Sequence, residues 1–235
     1  EGGEAEIVVT GQGLDPSPLL AAYAVTVLER DRTAASASGR LDDVLGAVAG
    51  FQQFRRSDSR SSNPTAQGVT LRGLGGNASS RTLVLLDGVP VTDPFFGHVP
   101  FVALPPERLD RITVIRGGGT GAFGAGAVAG TIDMVSARPG GLPLGEAALA
   151  LNDRGESELS ATIAPRLGDG YVVVSGRWDR GQGFWTTPES QRVPASARAR
   201  FDSWSTSLRA AAPLAADLEL QGRVLVFEDR RTLRF

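Results

Sequence analysis

The residues that could do chemistry in this chain are few, and their spacing does not bring them together. One histidine, no cysteine and carboxylates scattered among arginines give no base, nucleophile or metal cluster at a recognisable spacing. The absence of thiols excludes disulfide staples and thiolate metal sites, and suits passage through an oxidising compartment. Gly119-Thr120-Gly121-Ala122-Phe123-Gly124 fits G-x-G-x-x-G after the strand-like Ile112-Thr113-Val114-Ile115, a pattern able to seat a pyrophosphate. That chemistry needs a helix opening at the glycines, yet Gly124, Gly126 and Gly130 interrupt it, at about 1 kcal/mol each in a helix interior. The strand-like Thr131-Ile132-Asp133-Met134-Val135 also arrives too soon for a crossover helix, and Asp133 is too early for the ribose-binding acid. Binding chemistry remains. Arg55, Arg56 and Arg60 lie in the polar run from Arg55 to Gln67, and Phe95, Phe96 and His98 in the run from Thr92 to Pro100. Arginines offer paired donors to carboxylate or phosphate oxygens, and exposed aromatics a flat apolar platform.

Both runs read as loops, so regular elements must position them. Ala22 to Leu28 alternates as a strand. Leu41, Val44, Leu45 and Val48 fall on one face of a short helix, with Ser38 as its cap, Asp42 and Asp43 near its N-terminus and Gly50 at its end. Arg108, Asp110, Arg111 and Arg116 alternate with Leu109, Ile112, Val114 and Ile115, a strand whose polar side meets other polar surface. Asp87 before Gly88 makes a turn.

After Pro139-Gly140-Gly141 the glycine-punctuated pattern gives way to longer alternating runs. Leu218, Leu220, Val224 and Val226 share one parity, and Glu219, Gln221 and Arg223 the other. Leu159, Ala161 and Ile163 oppose Glu158, Ser160 and Thr162, and Val172, Val174 and Trp178 oppose Tyr171, Ser175, Arg177 and Asp179. One apolar and one polar face suits strands between lipid and a polar lumen, and suits a soluble β-sandwich as well. Trp178, Phe184 and Trp185 are candidates for an interfacial aromatic girdle. The composition, 235 residues with 41% hydrophobic residues and net charge -2, is also that of one or two soluble domains. No stretch of eighteen apolar residues exists, so any membrane crossing must be made by strands. Glu1, Glu4 and Glu6 are acidic and no apolar run follows them, so in an exported protein they belong to the processed form.

Four motifs occur in a fixed order: Leu71-Arg72-Gly73, Leu85-Leu86-Asp87-Gly88-Val89-Pro90, Arg108-Leu109-Asp110-Arg111-Ile112-Thr113-Val114-Ile115-Arg116-Gly117, and Phe123-Gly124-Ala125-Gly126-Ala127-Val128-Ala129-Gly130-Thr131-Ile132-Asp133. Together they closely resemble the plug domain of TonB-dependent outer-membrane receptors. Leu41-Asp42-Asp43-Val44-Leu45 matches the family's helix, with Ala49-Gly50 in place of the usual Pro-Gly. The resemblance implies an α+β plug domain, a small mixed sheet with short helices, followed by antiparallel transmembrane β-barrel strands. It divides the chain into a mobile N-terminal segment 1–17, a plug 18–139 and the N-terminal part of a barrel 140–235. It implies energy-coupled uptake of a scarce ligand such as a ferric siderophore or cobalamin, without enzymatic chemistry and without a cofactor. Arg55, Arg56, Arg60, Phe95, Phe96 and His98 become candidate ligand contacts in plug loops. Glu6-Ile7-Val8-Val9-Thr10 resembles the box through which a TonB-type energy-transducing protein, with its inner-membrane motor, pairs by strand addition. The implied setting is the outer membrane of a Gram-negative bacterium, plug inside barrel, N-terminus periplasmic, with lipid and an extracellular metal chelate as partners and no nucleic acid. A surface-signalling receptor without import and a truncated binding module are the alternatives. A plugged barrel of about 22 strands needs over roughly 220 residues in strands alone. The residues after Gly141 supply roughly five or six strands, so the sequence reads as the N-terminal part of a longer receptor.

Overall fold

Apolar residues at period two build the first sheet of the computed structural model, which describes residues 24–54, 59–73, 79–117, 126–215 and 217–232. β1 (Ala24–Glu29) leads into α1 (Arg30–Ala34) and then α2 (Leu41–Gly46). β2 (Gln52–Gln53) pairs with β3 (Val69–Thr70), and β4 (Leu83–Leu86) turns through Asp87-Gly88 into β5 (Val89–Pro90). β6 (Leu109–Arg116) and β7 (Gly130–Ser136) complete a five-stranded sheet in the order β1-β6-β7-β4-β5. The sheet is mixed, because β4 runs parallel to β7 while its other neighbours are antiparallel. β6 and β7 are adjacent and antiparallel, which leaves no place for the crossover helix of a dinucleotide-binding unit. Gly119 to Gly124 lies outside the described residues.

Leu28 of β1, Ile112 and Val114 of β6, and Ile132 and Met134 of β7 are fully buried, and Leu41, Val44, Leu45 and Val48 close the same core. The helical periodicity therefore gives the right buried face. The helix stops at Gly46, and its N-cap is Arg40 rather than Ser38. Ser38 lies two residues before the N-cap, too early to reach the first free amides, and its hydroxyl accepts the Arg40 N–H at 3.3 Å instead.

Gly130 opens β7 at φ 140°. A Cβ there would strike the Ile115 carbonyl oxygen across the β6–β7 ladder and the buried Leu71 side chain. Gly130→Ala combines a disfavoured backbone with overpacking, so about 3 kcal/mol of destabilisation is expected. A lowered urea midpoint for protection of this sheet from proteolysis checks it.

β8 (Gly145–Leu151), β9 (Ser157–Ile163), β10 (Arg166–Leu167), β11 (Gly170–Gly181), β12 (Arg200–Ala215) and β13 (Leu218–Thr232) form a second, antiparallel sheet. Its order is β13-β12-β11-β9-β8, with β10 paired to β11, and it does not close on itself. Parity divides its faces. Phe201, Ser203, Ser205, Arg209 and Ala211 of β12 are buried, whereas Trp204, Thr206 and Leu208 are exposed. The buried face lies against the first domain, with Leu225 of β13 packed on the core that holds Ile112 and Ile132.

Candidate functional site

Register places like charges opposite one another on the inner face of the second sheet. Arg209 of β12 faces Arg223 of β13, and Glu158 of β9 faces Asp179 of β11. Like charges directly opposite across strands destabilise a sheet. Each pair is met by an opposite charge from the first domain.

Asp87 meets the two arginines. It occupies the β4–β5 turn at φ 48°, a left-handed conformation that aspartate tolerates better than most residues. One carboxylate oxygen accepts the Ser136 N–H at 2.8 Å, which fixes the side chain on β7. The other contacts Arg223 and lies 3.7 Å from the Arg209 guanidinium. Arg223 also donates to the Ser136 hydroxyl, and Arg209 donates to the Ser136 carbonyl at 3.4 Å while lying 5.5 Å from the centre of the Tyr171 ring.

Arg60 meets the two carboxylates. Its guanidinium contacts Glu158, lies 3.4 Å from Asp179 and stacks 4.7 Å from the centre of the Phe201 ring. Arg177 of β11 joins the same group, at 2.8 Å from Glu158, 2.9 Å from Asp179 and 3.1 Å from Glu107 of the first domain. Arg231 is held by Asp229 at 2.6 Å and donates to the Ser62 carbonyl at 3.0 Å. Arg108 donates to the Ser205 carbonyl at 2.9 Å, and burial brings its pKa down to about 10, still protonated at neutral pH. Of the charges along Arg108 to Arg116, only Arg108 bonds this sheet among the described residues. β6 lies inside its own sheet between β1 and β7, and Arg116 turns to the Ala49 carbonyl.

The candidate contacts in the run from Thr92 to Pro100 form a compact turn. The Asp93 carboxylate accepts the Phe95 and Phe96 N–H groups at 2.9 and 2.7 Å. The Asp93 N–H donates to the His98 carbonyl, and the Gly97 N–H to the Asp93 carbonyl. This turn holds Phe95 at 89% and Phe96 at 62% exposure, apolar rings presented to whatever approaches. His98 sits 6.5 Å from Phe96, ring centre to ring centre, with its Nδ1 buried and unpaired among the described residues. Bonding from the Phe96 N–H, foremost, holds the Asp93 carboxyl below the usual aspartate value. A depressed acid contributes stability above its unfolded pKa and loses it as pH falls through the folded one. Asp93→Ala is therefore expected to speed hydrogen exchange of the Phe95 and Phe96 amides about tenfold at neutral pH. The difference should vanish in acid below the folded pKa of Asp93.

Arg60 is thus engaged by the second sheet, whereas Phe95 and Phe96 stand open. Arg55 and Arg56 lie outside the described residues, as do Glu6, Ile7, Val8, Val9 and Thr10. Trp178 pairs across strands with Trp204 on the outer face. Phe184 and Trp185 belong to the β11–β12 connection, where Trp185 is flanked by Arg192 and Arg198, 4.4 and 5.9 Å from its ring centre. Sequence reasoning assigned Asp87 only to a turn and gave no partners to Glu107, Glu158 or Arg209. The available signal was the odd parity that Arg177, Asp179, Arg209 and Arg223 share along three strands. No group of three or more metal-ligating side chains occurs among the described residues.

Comparison with known proteins adds a consistent set of likenesses. The family described as TonB-dependent Receptor Plug Domain matches residues 19–131. A hemin receptor of Yersinia enterocolitica is 32% identical over 127 residues, 54% of this chain and 17% of that protein. The vitamin B12 transporter BtuB of Photobacterium profundum is 22% identical over 161 residues, 68% of this chain and 25% of that protein. The chain therefore spans a quarter or less of the length of these curated relatives. Among solved structures, the unliganded ferric citrate transporter FecA superposes with a TM-score of 0.66 at 16% identity, covering 89% of this chain and 32% of that one. The siderophore receptor PirA of Acinetobacter baumannii gives 0.66 at 14% identity, covering 88% and 32%. At these identities the structures speak for the fold alone. The proteins matched are receptors and transporters, not enzymes.

Proposed function

Since residues 19–131 of this chain are a TonB-dependent receptor plug domain, we propose that the chain is the plug and first wall strands of an outer-membrane receptor that imports a scarce metal chelate. The plug, 18–139, blocks a barrel whose wall begins at 140. One observation carries the reading: the first domain docks through Asp87 and Arg60 onto the polar face of an antiparallel sheet whose other face is apolar. Leu208, Leu214, Leu218, Leu220, Val224 and Val226 are large, exposed and on or beside that outer face. From Trp204 to Leu214 the strand covers about 33 Å, or about 25 Å of height at a tilt near 40°, which is the span of a lipid-facing band. Lipid is the solvent such a face requires. Polar plug-to-wall contacts let the domain remain folded in a water-filled lumen and yet be moved, since ion pairs re-hydrate when they part.

In this reading Phe95, Phe96 and His98, with Arg55 and Arg56, meet the cargo, while Arg60 holds the plug against the wall, a role its contacts with Glu158 and Asp179 support. The names of the relatives, hemin receptor and vitamin B12 transporter, support a metal chelate as the cargo class. Glu6 to Thr10 would pair with a TonB-type partner in the periplasm and pass its pull to β1. Cells expressing the intact receptor should take up hemin, cyanocobalamin or a ferric chelate saturably, and a protonophore should stop it. Uptake that continues without proton-motive force would refute energy coupling.

A further inference from the structure

We propose that the outer rim of the wall carries a binding site for a phosphate-bearing lipid headgroup, built from Arg180, Arg200 and Arg230. The inference rests on the membrane placement proposed above. Arg180, Asp202 and Arg230 face one another in a single row across β11, β12 and β13. They lie two residues beyond the row formed by Trp178, Trp204 and Glu228. Below that row the outer face is apolar, and an indole pair marks where hydrocarbon gives way to headgroups. The same end carries the long connection between β11 and β12, and long connections lie on the extracellular side of such barrels.

The charges at this rim are only partly answered by the protein. Asp202 accepts the Trp178 indole N–H at 3.0 Å, and Arg180 stands 3.9 Å from its second oxygen, beyond hydrogen-bond distance. Glu228 accepts the Trp204 indole N–H at 3.1 Å and binds Arg230 at 2.7 Å. The exposed Arg200 side chain has no ion pair among the described residues. Three guanidinium groups thus stand against two carboxylates that are already accepting bonds. A cavity of about 590 Å³ opens beside them, its lining including Trp178, Arg180, Arg200, Arg230 and Arg231 with Asp202 as its one carboxylate among the described residues. This volume suits a headgroup rather than a lone ion. The sequence contains no lysine, and guanidinium groups pair with phosphate oxygens by two parallel N–H bonds. A phosphate above an acyl chain would meet the arginines while the chain lies along Trp178 and the apolar rows.

The test uses the intact receptor in detergent micelles doped with bis-phosphorylated lipid A, followed by native mass spectrometry. Bound lipid should fall at least tenfold in the triple variant Arg180→Gln, Arg200→Gln, Arg230→Gln. It should fall similarly for the wild type offered dephosphorylated lipid A, and inorganic phosphate at equal concentration should not displace it. Equal binding by the triple variant or of the dephosphorylated lipid overturns the site, and displacement by inorganic phosphate overturns the lipid assignment. The three side chains are exposed, so the variant should fold and insert into bilayers as the wild type does. Lost phosphate selectivity with normal insertion removes the headgroup site alone, whereas failure of the wild type to insert removes the membrane placement beneath it.

Discussion

Asp87→Asn in the intact receptor is expected to weaken plug docking by about 2 to 3 kcal/mol, because it leaves Arg209 and Arg223 facing each other without a counter-charge. Arg209 is nearly inaccessible and Arg223 half-buried, their side chains 7% and 22% exposed, so water replaces little of what the carboxylate supplied. Asparagine keeps the left-handed turn and an acceptor for the Ser136 N–H, which isolates charge from conformation. Asp87→Ala should cost about 1 kcal/mol more, from the loss of that turn preference. Urea should expose the plug to protease at a lower midpoint in both variants. Adding Arg223→Gln to Asp87→Asn should recover part of the loss, as coupled neighbours do in a double-mutant cycle. An unchanged midpoint in Asp87→Asn would mean that the wall alone accommodates its two arginines, and the docking role of Asp87 would fall.

Under the proposed function, deleting residues 6–11 should abolish energy-dependent uptake while leaving cargo affinity at the cell surface unchanged. The segment Glu6-Ile7-Val8-Val9-Thr10-Gly11 combines β-branched residues with flanking polar ones, the composition that main-chain strand pairing needs and side-chain recognition does not. Proline at Val8 should reproduce the defect, since it removes one amide from the pairing edge, whereas Val8→Ile should not. Transport at wild-type rate after the deletion would show that the partner pulls elsewhere. Weakened cargo binding would instead assign the segment to the structure of the plug.

Much of this fold was legible because burial has a period. Leu41, Val44, Leu45 and Val48 announce one helical face, and Leu218 to Val226 announce an outward strand face. Glycines such as Gly88 and Gly130 mark places where the backbone turns or approaches a neighbour. The ordered motifs from Leu71 to Asp133 fall within the residues that match the plug-domain family, 19–131, apart from the last two. Phe95 and Phe96 could be read as exposed because nothing around them in sequence alternates with them.

Pairings were another matter. Arg60 was grouped with ligand contacts by its loop, yet it stacks on Phe201 and binds Glu158 and Asp179, residues about a hundred or more positions away. Asp87 looked like turn chemistry, and it is, but the same carboxylate also reaches Arg223 across 136 positions. Parity tells which way a side chain points and leaves open what stands opposite, because that depends on strand register and on how one sheet docks on another. The sequence by itself thus determined the buried face of α2, the alternating faces of the longer strands and the likeness to the plug family. Only the tertiary structure decided that Asp87 answers Arg209 and Arg223 and that Arg60 joins Arg177 on Glu158 and Asp179, since Coulomb energy depends on distances that only long-range packing fixes.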